Sequence, residues 1–212
     1  LDEDKIIRRV IKIEKFDEKI IELGASSSRP GSIPVSEDEE IKKLLPTIEI
    51  IKKHSNKLLI SIDTFRSNVA KICIEKGADI INDISAGNKD KEMFNTVIEL
   101  DVPYIMMHMQ GNSLTMQNNP RYKNIILELL KFFEKKIKNL EKKGFNKIII
   151  DPGFGFGKTL DHNYEILKNL SKFKKFGYPL LIGASRKSMI YNLLNKTPQE
   201  VLNGTSIVNT IS

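Results

Sequence analysis

Asp151 follows the apolar run Ile148-Ile149-Ile150 and opens the segment Pro152-Gly153-Phe154-Gly155-Phe156-Gly157-Lys158. A continuous apolar run that stops at Pro and Gly predicts a buried parallel strand. The carboxylate is then delivered to the strand's C-terminal end, where α/β folds place their ligands. The same arrangement recurs along the chain. Ser28-Arg29 follows an apolar run at 19–25, Asp63 one at 58–62, and Asn82 one at 79–81. His108 follows 103–107, and Ser185-Arg186-Lys187 follows 178–182. A lone Asp-Pro-Gly reads as a solvated turn, but a polar group at the end of every apolar run predicts one shared site.

The chemistry of that site follows from its residue types. Asp63 and Asp151 can accept from a planar ligand with adjacent N–H donors, such as a 2-amino-pyrimidinone edge. Asn82 offers one donor and one acceptor to the same kind of ring. Lys187 is a compact cation for a ring carbonyl or nitrogen, and Arg29 or Arg186 suits a phosphate or carboxylate. His54, His108 and His162 show no metal-ligand spacing. Gly157-Lys158-Thr159 has the ending of a P-loop, yet Pro152 stands where its first glycine is needed, so that motif fails.

The elements that must position these groups alternate between helix and strand. Apolar residues at Ile6, Ile7, Val10, Ile11 and Ile13 predict an opening helix over 3–16. Ser36 followed by Glu37-Asp38-Glu39 predicts a capped helix running to His54, with a kink or break at Pro46. Further helices are expected at 67–77, 89–100, 121–143, 161–175, 188–195 and 205–212. Strands are expected at 19–25, 58–62, 79–81, 103–107, 147–150 and 178–182. Six strands separated by helices suit the βα units of one parallel sheet, and no linker or repeat marks a second domain.

Composition narrows the class of function. Lys and Arg exceed Asp and Glu by 34 to 27, a net charge of +7. Most lysines alternate with apolar positions in helical stretches such as Lys131 to Lys143, which predicts solvated helix faces and no nucleic-acid surface. Cys73 is the single cysteine, so no internal disulfide or Cys-built metal site can form, and its apolar neighbours predict burial. There is no signal peptide and no apolar run of membrane length, which predicts a soluble cytoplasmic protein without a membrane partner.

Taken in order, several motifs resemble those of the dihydropteroate synthase family. They are Ser27-Ser28-Arg29-Pro30-Gly31, Ser61-Ile62-Asp63-Thr64, Ile81-Asn82-Asp83-Ile84, Met107-His108-Met109-Gln110-Gly111, Asp151 to Lys158, and Ser185-Arg186-Lys187-Ser188. The resemblance implies a TIM (β/α)8 barrel with residues 1–212 as one pterin-binding domain. It implies condensation of 6-hydroxymethyl-7,8-dihydropterin diphosphate with 4-aminobenzoate to 7,8-dihydropteroate and diphosphate, assisted by Mg²⁺ and open to sulfonamides.

By motif position, Asp63, Asn82, Asp151, Lys187, Met107 and Gly183 would line the pterin pocket. Asp63, Asp151 and Lys187 would be the catalytic groups. Ser28, Arg29, Pro30, Phe156 and Ser188 would shape the aminobenzoate site, with Arg29 and Asn82 on the diphosphate. The substrates would be small molecules, and the full-length protein would be a homodimer. A pterin-binding methyltetrahydrofolate methyltransferase, or a non-catalytic pterin-binding remnant, is the alternative.

The chain departs from the family pattern at particular places. Ser26 and Ser28 replace an acid and a threonine, Glu22 replaces an Asp, and Ala184 replaces a larger apolar residue. The family's opening strand, whose Asn helps to bind Mg²⁺, and its closing Arg-x-His strand have no counterpart here. None of the residues named is therefore expected to be a metal ligand. The expectation is a truncated barrel, lacking its first and last strands, that belongs to a longer gene product and is inactive alone.

Overall fold

A computed structural model describes residues 2–25, 35–111, 116 and 119–212. Ser28, Arg29 and Pro30 lie outside the described residues. The elements run α1 (Glu3–Lys15), β1 (Ile20–Leu23), α2 (Glu37–His54), β2 (Leu59–Asp63), α3 (Ser67–Glu75), β3 (Ile80–Asp83), α4 (Met93–Leu100) and β4 (Tyr104–Met107). Then follow α5 (Ile125–Glu141), β5 (Ile148–Asp151), α6 (Leu160–Lys168), a 3₁₀ segment (Leu170–Phe176), α7 (Ser188–Leu194) and α8 (Leu202–Ile211).

Local chemistry sets the helix starts. Ser36 and Glu39 form a reciprocal capping box on α2, Asn124 caps α5 through the Leu127 N–H, and Thr159 caps α6 through the His162 N–H. Asn124 explains why α5 begins later than the apolar pattern suggested. Pro46 does not break α2, which is continuous from Glu37 to His54. Helix α4 starts at Met93 instead of 89, and the expected helix at 161–175 divides into α6 and the 3₁₀ segment.

The strands pair parallel in the order β1-β2-β3-β4-β5, each with its successor in sequence. Sequential order without a reversal is the winding of a (β/α) barrel; a doubly wound sheet reverses at a switch point. The sixth expected strand is a correction. Among the described residues its only pairing is a bridge from Leu180 to Ile150, with Ile150 N–H donating to the Pro179 carbonyl and Leu181 N–H to the Ile150 carbonyl, both at 2.9 Å. Pro179 has no N–H to give to a ladder, so a regular strand does not form around it.

Strand alternation divides the sheet into two faces. Ile60, Ile62, Ile81, Tyr104, Met106, Ile148 and Ile150 turn outward and join the helices in one buried cluster that includes Ile48, Ile51, Cys73, Leu129 and Phe133. The inner face carries Glu22, Ser61, Asp63, Ile80, Asn82, Ile105, Met107 and Asp151. Ile80, Ile105 and Met107 are buried yet stand outside the helix-facing cluster.

Asp83, next to Asn82, points the other way. It is fully buried and accepts from Ser85 N–H (2.8 Å), Ser85 Oγ (2.7 Å), Gly87 N–H (2.7 Å) and Tyr104 Oη (2.8 Å). Four donors around one carboxylate tie the turn after β3 to strand β4. Asp83→Ala is expected to lower stability by about 3–5 kcal/mol, because those buried donors lose their acceptor. Urea unfolding measures the loss.

Candidate active site

Asp63 ends β2 and sits opposite Asn82 in the β2–β3 register. No side-chain hydrogen bond reaches its carboxyl among the described residues. Burial pushes it up to about 7, with repulsion from Glu22, Asp83 and Glu40 adding to the effect and Lys89 opposing it. Glu40 itself is buried and paired with Arg66. Asn82 donates its Nδ2 to Glu22 Oε2 at 2.6 Å, while its Oδ1 is buried without a partner.

Asp151 ends β5 opposite Met107 of β4. Its carboxyl accepts the Gly153 N–H at 2.7 Å. Burial raises its pKa to about 6. The Gly153 bond and the cations Lys187 and Lys158 pull it down, and Glu22 pushes it further up. Burial thus moves both inner-face carboxyls from the ordinary aspartate range toward neutral pH.

The loop after β5 is pinned along its length. Gly155 N–H donates to Asn163 Oδ1 (2.8 Å), and Tyr122 Oη donates to the Gly157 carbonyl (2.8 Å). Lys187 Nζ donates to the Phe154 carbonyl (2.5 Å), and Lys158 Nζ to those of Phe156 (2.9 Å) and His108 (3.0 Å). The glycines are required where the loop crosses the end of β4. At Gly153, with φ of +74°, a Cβ would lie 2.1 Å from the His108 carbonyl oxygen, and at Gly157 one would lie 2.4 Å from that of Gln110.

Lys158 is almost completely buried and also lies 3.2 Å from His108 Nδ1. Burial lowers its ammonium to about 7, Lys187 adds to the shift, and Asp151 opposes it. His108 is pushed down to about 3, first by burial and then by the Lys158 cation, so its ring is neutral. Thr159, the residue that made a P-loop plausible, spends its hydroxyl on the cap of α6.

Lys187 reaches this loop from the segment before α7. Arg186 N–H donates to Thr205 Oγ1 of α8 (3.0 Å), and Tyr164 of α6 donates to the Met189 carbonyl (2.8 Å), which fixes the approach. Lys187 Nζ lies 4.8 Å from the centre of the Phe156 ring. A Cβ on Gly183 would lie 3.7 Å from the same Nζ. Burial lowers the Lys187 ammonium, with Asp151 opposing.

Asp63, Asn82, Met107 and Asp151 therefore share the inner face, while Lys187, Gly183 and Phe156 gather around the β5 loop. Ser188 is partly buried as the first residue of α7. Sequence reasoning gave no site role to Glu22, Lys158 or Asn163. A lysine inside a Gly-rich loop directly after a strand was the available signal for Lys158.

Because Asp63 keeps its proton to a higher pH when folded than when unfolded, it costs the protein stability as pH rises from 3.8 to about 7. Asp63→Asn is expected to raise stability by roughly 2–4 kcal/mol at pH 8, with the gain shrinking toward zero at pH 4. Urea unfolding at the two pH values checks the sign.

Comparison with known proteins points the same way as this geometry. The family model described as pterin binding enzyme matches residues 2–212. The chain is 42% identical over 188 residues to the dihydropteroate synthase of Escherichia coli, covering 88% of this chain and 66% of that protein. It is 38% identical over 205 residues to the Haemophilus influenzae dihydropteroate synthase, covering 96% and 74%. Among solved structures, the Yersinia pestis dihydropteroate synthase with a sulfonamide drug matches with a TM-score of 0.89 at 34% identity, over 98% of this chain and 74% of that one. The chain thus spans about two thirds of the E. coli relative's length.

Proposed function

Since this chain belongs to the pterin-binding enzyme family, among the dihydropteroate synthases, we propose that its inner face serves the synthase reaction. In that reaction 6-hydroxymethyl-7,8-dihydropterin diphosphate and 4-aminobenzoate give 7,8-dihydropteroate and diphosphate. The observation that carries the reading is the constellation of Asp63, Asn82 and Asp151 on one face, at or near the C-terminal ends of β2, β3 and β5. Two of the three are carboxyls that burial makes poor anions until a ligand supplies donors or positive charge.

The C–O bond to diphosphate breaks first, and the leaving group takes the electron pair. The positive charge left on the pterin methylene is stabilised by Asp63 and Asp151 in a partly desolvated site. The aminobenzoate nitrogen then forms the C–N bond and releases a proton. Lys187 would meet a ring carbonyl or nitrogen, and Phe156, whose ring lies 4.8 Å from the same cation, would offer a face to the aminobenzoate ring. Ser188 stands beside them, and Ser28, Arg29 and Pro30 would complete that side, with Arg29 and Asn82 toward the diphosphate.

Mg²⁺ enters this proposal as a companion of the diphosphate, since Mg²⁺ commonly binds through substrate phosphates and few protein ligands. Among the described residues no group of three or more His, Cys, Asp or Glu could hold a metal ion. The described donors do not fit a resident ion. No described helix is long and apolar enough to cross a membrane. A cytoplasmic setting, one pterin-binding unit over 1–212, and small-molecule substrates without nucleic-acid or membrane partners belong to the same proposal.

So does pairing of two copies through α7 and α8. There Leu193, Leu194, Ile207 and Ile211 are exposed around an apolar groove of about 480 Å³. Light scattering is expected to give twice the mass of one chain, and a monomer mass would remove the pairing.

The direct test is titration of the chain with 6-hydroxymethylpterin, followed by pterin fluorescence. Binding should weaken about 10- to 100-fold in Asp151→Asn, the range for losing a hydrogen bond to a charged group. It should also weaken as pH falls through 6, where Asp151 takes up its proton. No binding by a wild-type chain that unfolds cooperatively would overturn the reading.

A further inference from the structure

Glu22 lies on the inner face, and the reaction above gives it no part. It stands in β1 opposite Ser61 of β2, whereas Asn82 stands in β3 opposite Asp63. Its side chain crosses the width of β2 to accept the Asn82 Nδ2–H at 2.6 Å. The residue it passes, Ser61, is small, and its Oγ is buried without a partner. The other end of the Asn82 amide, Oδ1, is likewise buried and unpaired.

These contacts fix the polarity of the amide. Exchanging its oxygen and nitrogen would set Asn82 Oδ1 against Glu22 Oε2, two acceptors at hydrogen-bond distance. The nitrogen must stay on Glu22, so the end of the amide held away from Glu22 is the carbonyl oxygen, and that atom has no partner. From sequence, Asn82 could offer a donor or an acceptor; in the folded chain one of its two N–H groups is engaged by Glu22 and its oxygen is unpaired.

We propose that Glu22 is a positioning residue that locks the Asn82 amide with its carbonyl oxygen free, so that the site selects ligands presenting an N–H at that point. The inference rests on the pterin reading and deepens it. With Asn82 locked, Asp63, Asn82 Oδ1 and Asp151 are all acceptors when both carboxyls are ionised. A ring edge with several N–H groups satisfies them. A ligand with a carbonyl in the same place leaves two buried acceptors facing each other, the kind of mismatch that discriminates most strongly between ligands. Glu22 also adds repulsion to both Asp63 and Asp151, which favours the same donor-rich or cationic ring.

The experiment compares the 212-residue chain with Glu22→Ala and Glu22→Gln. Gln keeps an acceptor oxygen for Asn82 Nδ2–H but removes the charge. Without ligand, the Asn82 side-chain amide is followed in ¹H–¹⁵N spectra and assigned by its disappearance in Asn82→Asp. Two well-separated amide protons are expected in the wild type and in Glu22→Gln, and the pattern of a freely solvated amide in Glu22→Ala.

With 6-hydroxymethylpterin as the probe, affinity should fall about tenfold in Glu22→Ala and stay within about threefold in Glu22→Gln, with both variants melting as the wild type does. Unchanged Asn82 signals with unchanged affinity in Glu22→Ala would overturn the proposal. Equal losses in the two variants would assign the effect to charge and overturn it too. A wild type that binds no pterin, yet shows the Glu22-dependent Asn82 signal, would remove the pterin reading and leave the positioning role in place.

Discussion

The strand-borne groups of the site, Asp63, Asn82, Met107 and Asp151, are aimed by the two-residue repeat of a parallel strand. Neighbouring residues on a strand face opposite ways, so a single step in sequence separates chemistry from core. Asn82 faces inward with an unsatisfied carbonyl oxygen, while Asp83 turns outward and is saturated by four donors that include Tyr104. Met107 and Asp151 face in together because β4 and β5 pair them, and Met106 and Ile150 pack outward against the helices. A slip of one residue in any of these registers would exchange the two sets and dismantle the site.

Desolvation then decides the charge state of what the register has gathered. The inner face is lined by Ile80, Ile105 and Met107 as well as by acids, so ionised carboxylates are poorly solvated there. Asp63 and Asp151 rise toward neutral pH, and Lys158 falls toward it from the other side. The ionisation of such a site responds to its ligand, and an incoming cation or donor-rich ring favours the ionised carboxylates.

The β5 loop adds rigidity to this electrostatic balance. Its carbonyls and N–H groups are held by Lys158, Lys187, Asn163, Tyr122 and Asp151, which leaves the Phe156 ring on a fixed support. Glycine is needed at 153 and 157 because the loop runs against the carbonyls of His108 and Gln110. The same lysine that anchors Phe154 lies over Phe156, so the positions of Lys187 and of the aromatic face are linked.

Strand ends, the Ser36 cap of α2 and the convergence of Asp63, Asn82 and Asp151 were legible in the sequence. They follow from apolar runs that end in polar residues and from an N-cap serine followed by acids, all of which act over a few residues. Pro179 shows the limit even at short range, for the apolar run around it pointed to a strand that its missing N–H reduces to one bridge. What the sequence could not supply were contacts between distant elements. Glu22 meets Asn82 across 60 positions and Lys158 meets His108 across 50, and no local period encodes either. The amino-acid sequence by itself determined that Asp63, Asn82 and Asp151 stand at or near strand ends on one face, since side-chain direction along a strand is a local property. Only the tertiary structure decided which of their atoms remain free and how they are charged, because pairing and desolvation depend on neighbours that folding alone brings together.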